Sequence, residues 1–351
     1  MKTLALVASV GAVTPIGLSA VHTAFAFRAA AAAMREVPLL DADGEPITMC
    51  ALPTLDPRGT ASARAGAIAV RALDEAAQAL GAGGRELRVR LATSFDEHFA
   101  AGPNGSGPPA QEVLGALVTR ARRFFRDVTV TVSTRGAAGP GLVLDEVCAA
   151  LAEGSVDAVV LGGVHSDYDP ARIAALAASH RLFRNDNLDA LIPGEAAAFV
   201  VLVQAATAQR LGLSPAMQLN GVATAHGRAR PDNDESAFLA VGLTHAMRTV
   251  LTPLADDGER VGWVMTDLTF ETFRHHELSA ATVRLQPHFC EPQHLDNPAQ
   301  RLGHLGAAAM PLHLALASEA FRRGFAPHRV GLSIAGSDAG ERAALVFSGT
   351  T

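Results

Sequence analysis

The chain holds 13 histidines and 3 cysteines, and the spacing of these groups decides which could act as bases, nucleophiles or metal ligands. His288, Cys290 and His294 crowd the stretch HFCEPQH, with His275 and His276 upstream. That spacing fits no zinc-site pattern of paired ligands, and a loop rich in polar residues accounts for it, so no metal site is expected. His304, in RLGHLGAAA, could donate a hydrogen bond into a pocket or simply be held by its own loop. Cys148 lies inside an apolar run and reads as a small core residue. Ser133 and Thr134 carry hydroxyls but have no adjacent base to activate them. Glu271, Arg274 and Glu277 form a charged stretch that suits a solvated face, a partner contact or a plug in a pocket.

The segment from Val130 to Gly163 is the best place in the chain for a nucleophile. It reads as a strand, a glycine-rich elbow, a buried helix and a second strand. Where a strand runs into the amino end of a helix, the helix dipole and free backbone N–H groups stabilise an anion. The elbow here holds Gly136, Ala137, Ala138 and Gly139, none of which can attack anything. Its backbone N–H groups could still face an anion or a carbonyl, except at Pro140, which has none.

The elements around this segment follow from patterning. With 351 residues, 49% hydrophobic and 18% charged, the chain can bury a large core. Only 5% is aromatic, so Ala, Val and Leu must build that core, which suits layered α/β architecture. A net charge of −6 gives no reason to expect nucleic-acid binding. An odd cysteine count at unrelated spacings suggests reduced thiols in a cytoplasm rather than disulfides. Lys2, the apolar run from Leu4 to Val13 and a later Ala-Phe-Ala resemble a signal peptide, but a core strand, a turn at Pro15 and a helix over 18–34 fit better. No apolar run reaches the roughly 20 residues that span a bilayer.

Further along, residues 35–59 read as a surface excursion, 61–80 as a helix, 87–93 as a strand, 102–109 as a loop and 111–125 as a helix. The run from Ala158 to Gly162 is apolar enough for a strand covered on both faces. After a more polar break at 207–215 come a strand, a helix over 235–251, a strand over 262–270, a short helix over 278–285 and a loop over 287–298. A long Ala-rich helix over 305–324 and a closing hairpin, 329–334 with 343–347, complete the chain. The repeated order implies two similar halves packed face to face, residues 1–206 and 207–351.

Four phrases in this order, VGAVTPIG, CAALAEGSVDAVVLGGV, PGEAAAFVVL and RLGHLGAAAMPLHLALASEAFRRG, resemble the β-ketoacyl synthases of the thiolase superfamily. The resemblance implies a five-layered αβαβα thiolase-like fold, a homodimer or heterodimer, and an acyl pocket where the halves meet. It also implies a catalytic cysteine at the elbow, two histidines and a supporting lysine. Counting back without gaps from Gly154 and Asp157 puts the cysteine position at Ala137. The first histidine position falls at Thr269 and the lysine at Ala299, while His304 matches the second histidine. The family's phenylalanine-glycine gate is replaced by Gly336-Ser337-Asp338-Ala339-Gly340.

Condensation needs a thiolate to hold the acyl chain, and histidines to stabilise the enolate and oxyanion. Loss of one oxyanion donor alone costs about 10²–10³ in rate. The resemblance therefore implies a degenerate ketosynthase-like protein without a cofactor, acting by binding. It would be a scaffold, an acyl-chain sensor or a partner subunit for an acyl carrier protein, or an accessory that contacts secretion effectors of the type VI system. The alternative is a ketosynthase-related acyltransferase or decarboxylase of fatty acid or polyketide metabolism, working through a non-standard site around His304.

Overall fold

The structure is a computed structural model and describes residues 2–101 and 109–350. The first half contains β1 (Ala5–Val13), α1 (Ala20–Arg28), β2 (Arg35–Leu40), β3 (Pro46–Met49), α2 (Ala61–Gln78), β4 (Arg88–Ser94), α3 (Glu97–Ala101) and α4 (Pro109–Ala121). It continues through β5 (Asp127–Ser133), α5 (Gly139–Ala152), β6 (Ala158–Ser166), α6 (Pro170–Ala178), β7 (Glu195–Val203) and α7 (Ala205–Arg210). The second half contains β8 (Met217–His226), α8 (Val241–Asp256), β9 (Val261–Met265), α9 (Thr272–Arg284), β10 (Phe289–Asp296), α10 (Ala299–Leu302), α11 (Ala309–Arg322), β11 (Val330–Gly336) and β12 (Glu341–Gly349).

Every residue of β6 and β7 is buried, as their unbroken apolar runs require of strands covered on both faces. Ten of the strands form one sheet in the order β10-β9-β11-β12-β8-β1-β7-β6-β4-β5, and β2 pairs with β3 in a separate ladder. Counted by chain entry from each outer edge, both halves run third, second, fourth, fifth, first. A short antiparallel ladder, Ala5–Val7 against Met217–Leu219, stitches the halves together. Between them lie α5 and α11, each touching strands of both halves. On one outer face α2 and α4 cover the first five strands, and on the other α8 covers β8 and β12 with α9 packed against it. The result is the expected five layers, with separate apolar clusters in the two outer layers and a large one around the central helices. Each fully buried Val or Leu in these clusters contributes about 1.5–3 kcal/mol.

Several elements differ from the sequence reading for identifiable reasons. The helix expected over 18–34 stops at Arg28, and Ala30 turns with φ +60°. The following alanines favour helix intrinsically, but Ala33 N–H bonds the Arg301 carbonyl, so a tertiary contact overrides propensity. The loop expected over 287–298 is instead the edge strand β10, parallel to β9 with an irregular register. An edge position tolerates Pro292, which cannot donate to a ladder. The helix expected over 235–251 breaks at Ala240, φ +43°, into a 3₁₀ turn and α8. The helix expected over 278–285 starts earlier, at Thr272, as α9. Apart from Pro109, the loop expected at 102–109 lies outside the described residues. The stretch Asp234–Asp256 is long and apolar enough to cross a membrane, but α8 within it packs on the sheet as a core helix.

Candidate functional site

Two elbows meet where the halves join. Gly136-Ala137-Ala138 forms a 3₁₀ turn that opens α5, and Gly306-Ala307-Ala308 forms a matching turn that opens α11. Both glycines are left-handed, with φ +57° and +45°. Gly306 has no alternative, since a Cβ there would lie 2.2 Å from Asp96 Oδ2 and 2.3 Å from His165 Nδ1. Ala137 and His304 line one cavity of about 160 Å³, together with His98, Arg172, Arg274 and Ser337. The helix-end position singled out in the sequence therefore faces a cavity, with the methyl group of Ala137 on its wall.

The helix-end donors at this elbow are partly occupied. Ser337 Oγ accepts from Ala138 N–H at 3.0 Å and donates to the Arg135 carbonyl. This is the one hydroxyl beside Ala137 and His304 in the cavity lining, and its partners are backbone groups rather than a base, so it acts as a cap. Ser133 is buried behind the elbow, where its Oγ accepts from Arg135 N–H, while Thr134 is exposed. Cys148 is buried in α5, and burial pushes its thiol up to about 12, far from a reactive thiolate.

Parallel strands β4 and β6 deliver the most unusual group in the molecule. Asp96 and His98 follow the carboxyl end of β4, and His165 and Asp167 occupy the end of β6. His165 is fully buried, with Nδ1 2.5 Å from Asp96 Oδ2 and Nε2 2.8 Å from Asp167 Oδ2. Burial alone would lower its pKa, but the Asp167 and Asp96 carboxylates outweigh burial and hold it up at about 10. The ring is thus an imidazolium donating on both sides. Burial would raise the pKa of Asp96, yet the His165 charge brings it down to about 2. Asp167 is held well below the usual range in the same way, by His165, Arg172 and His304 against the effect of burial.

Asp167 also accepts from His304 Nδ1 at 3.1 Å, Arg172 Nε at 2.9 Å and Gly194 N–H at 3.3 Å. The chain Asp96, His165, Asp167, His304 leads from the core to the cavity. His98 stands beside it, and burial, aided by Arg172, pushes its pKa down to about 4. Nitrogens of His98 and His165 and an oxygen of Asp167 lie within 4.8 Å of one another. That donor set does not fit a metal, because both ring nitrogens of His165 are committed to carboxylates and a ligand imidazole must offer a free lone pair.

A second, largely buried network lies on the side of the cavity lined by Arg274 and Asp338. Arg181 pairs with Glu271 at 2.6 Å and with Asp338 at 2.7 Å, and Arg274 bridges Glu271 at 3.2 Å and Asp338 at 2.6 Å. Arg274 and Arg181 hold Asp338 far below its ordinary pKa, although burial alone would raise it. Thr269 is buried and donates to Glu271 Oε2 at 2.9 Å, so it belongs to this network. Of the three open readings of the 271–277 stretch, Arg274 matches the plug: it lines the cavity and is buried. Glu277 is also buried, paired with Arg342 Nε at 2.8 Å. Ala299 is buried at the start of α10.

Within HFCEPQH, His294 bonds Asp296 at 3.2 Å on the exposed edge strand, and among the described residues His288, Cys290 and His294 form no ligand cluster. Asp96, His98, His165, Asp167 and Arg172 were not recognised in the sequence. Their available signal was position: SFDEH and GGVHSD put charged residues directly after apolar strands, at the carboxyl ends where open α/β sheets bind ligands.

Comparison with known proteins agrees with this architecture. Residues 105–208 match the family described as "Beta-ketoacyl synthase, N-terminal domain". No curated protein matches the chain in sequence. Among solved structures, the ishigamide ketosynthase/chain length factor is 20% identical with a TM-score of 0.77, covering 99% of both chains. A β-ketoacyl synthase from Burkholderia phymatum STM815 is 19% identical, TM-score 0.75, over 100% of both chains. A chain of AntDE:AntF, described as a type II PKS acyl-carrier protein in complex with its ketosynthase bound to the hexaketide, is 13% identical, TM-score 0.78, over 99% of both. With its paired five-stranded half-sheets and facing helix elbows, this chain has a thiolase-like fold similar to that of the β-ketoacyl synthases.

Proposed function

We propose that the protein is a catalytically silent ketosynthase-like subunit that works in the cytoplasm by binding a carrier protein or a second ketosynthase-type chain. The elbow cavity supports this reading: by the resemblance Ala137 takes the nucleophile position and Arg274 with Asp338 lies where the gate is expected, while Ser337 caps the adjacent N–H. Without a nucleophile the two-step acyl transfer has no first step, and a helix-end donor already satisfied by a hydroxyl offers an oxyanion less. Of the two partner classes suggested by the resemblance, a carrier protein has more behind it, since one structural neighbour is described in complex with its acyl-carrier protein. No feature of the site favours a secretion effector.

Dimer formation belongs to the same proposal. Strand β5 is a free sheet edge, and Val130 and Val132 stay 41% and 42% exposed on it. An unpaired edge with apolar side chains invites pairing with another chain. An isologous contact through β5 would close after two copies.

The test is intact-protein mass after incubation with acyl-thioesters, alongside affinity capture on acyl carrier protein. The expected result is no covalent adduct and saturable carrier binding. The second reading, an enzyme built around His304, draws on the Asp167 carboxylate that orients its ring in the manner of a catalytic dyad. A stable adduct lost on substitution of a single Ser or Cys would select that reading and overturn the first.

A further inference from the structure

A second cavity, of about 290 Å³, lies away from the elbows between α1, the β9 and β10 edge, and α11. It shares no lining residue with the elbow cavity. Its walls are mostly apolar: Phe27 and Trp263 are buried, and Leu316 and Met265 line it with them. The one carboxylate in the lining, Asp296, is engaged by Trp263 Nε1 at 2.8 Å and by His294 Nε2 at 3.2 Å. Two guanidiniums border the cavity. Arg301 donates to the Phe27 carbonyl at 2.7 Å and lies 4.8 Å from the Phe27 ring centre, while Arg28 lies 4.6 Å from the ring of Phe325. Among the described residues neither Arg28 nor Arg301 pairs with a carboxylate, whereas Arg64, Arg88, Arg120, Arg181, Arg274 and Arg342 all do.

Aromatic stacking fixes these two guanidiniums while leaving N–H donors for a further acceptor. An apolar chamber with unmatched cations at its border suits an anion with an apolar body, for which burial of the tail and charge-assisted hydrogen bonding of the head add together. At the ~30 Å³ that a water molecule takes in the liquid, the cavity holds roughly ten non-hydrogen atoms, at the low end of ligand sites. We propose that this cavity is a second ligand site, specific for an apolar monocarboxylate of about the size of octanoate, with Arg28 and Arg301 receiving the carboxylate over a Phe27 and Trp263 wall.

Trp263 is the one tryptophan in the chain and lines this cavity, so its fluorescence reports on events there. Octanoate titrated into the full-length protein is expected to change Trp263 emission saturably, and neutral octanamide to bind at least tenfold more weakly. Arg28→Gln removes an exposed guanidinium that makes no side-chain hydrogen bond to the fold among the described residues, and should weaken octanoate at least tenfold without changing the circular dichroism spectrum. Arg301→Lys, which keeps the charge but loses the planar fork, should weaken it several-fold. The proposal falls if no saturable change occurs, if octanamide binds as well as octanoate, or if Arg28→Gln binds like wild type. It falls equally if Arg172→Gln abolishes the signal, because that would put the ligand in the elbow cavity.

Discussion

Replacing His165 by leucine tests the buried charge chain most directly. In the native protein its ring lies 2.5 Å and 2.8 Å from two carboxylates with no access to water. Leucine fills much of the volume but strands Asp96 and Asp167, which keep Arg172, His304, the more distant His98 and backbone N–H partners. Removing one partner of a buried ion pair costs about 3–5 kcal/mol. For a chain of this size that corresponds to a fall of roughly 4–7 °C in Tm. The pH dependence is the sharper readout. The folded pKa of His165, about 10, lies above the ordinary 6.5, so its stabilisation is complete below about pH 6.5 and is lost as the pH rises towards 10. Thermal melts followed by circular dichroism from pH 6 to pH 10 should show the widest gap between wild type and His165→Leu at pH 6 and a narrowing gap above pH 7. Adding Asp96→Asn should recover part of the loss, since one stranded charge is gone. A pH-independent gap, or a loss below about 1 kcal/mol, would refute an imidazolium at this position.

Three further outcomes follow from the same geometry. Gly306→Ala forces a side chain into Asp96 and His165 at φ +45°, and should cost at least the 1–3 kcal/mol of backbone strain; an unchanged Tm would contradict the elbow as described. On the acid side, the folded pKa values of His98 and His313 are depressed to about 4 and about 3, so the unfolded chain takes up protons first and stability should fall as pH drops below about 6.5, before the Asp96 contribution is lost near pH 2. Urea midpoints between pH 7 and pH 4 check this, with a flat profile counting against it. Val130→Lys together with Val132→Lys places charges on the free β5 edge and should convert a dimer to monomer in light scattering with little change in Tm, whereas an unchanged mass would move the interface elsewhere.

Much of the fold was legible because it is written in local patterns. The unbroken apolar runs of β6 and β7 announce covered strands, and the alanines of α2 at helical spacing announce a packed face. The repeated element order is the sequence signal that suggests two similar halves. Where long-range contacts compete with local preference, the reading failed: the alanines after Arg28 leave the helix to meet α10, and HFCEPQH becomes a strand because β9 offers it a ladder. Neither partner is near in sequence.

The candidate site divides in the same way. Ala137 at the helix elbow and His304 ahead of α11 are read from residue identity and spacing, because a strand, a tight turn and a helix are contiguous and carry their geometry with them. The charge chain is different. Asp96, His165 and His304 are remote in the sequence and acquire meaning only when β4, β6 and the α11 elbow bring them within hydrogen-bond reach. An isolated histidine in the sequence has an ordinary pKa; closing water out and setting two carboxylates against its ring turns it into a lasting cation, and that environment exists only in the folded chain.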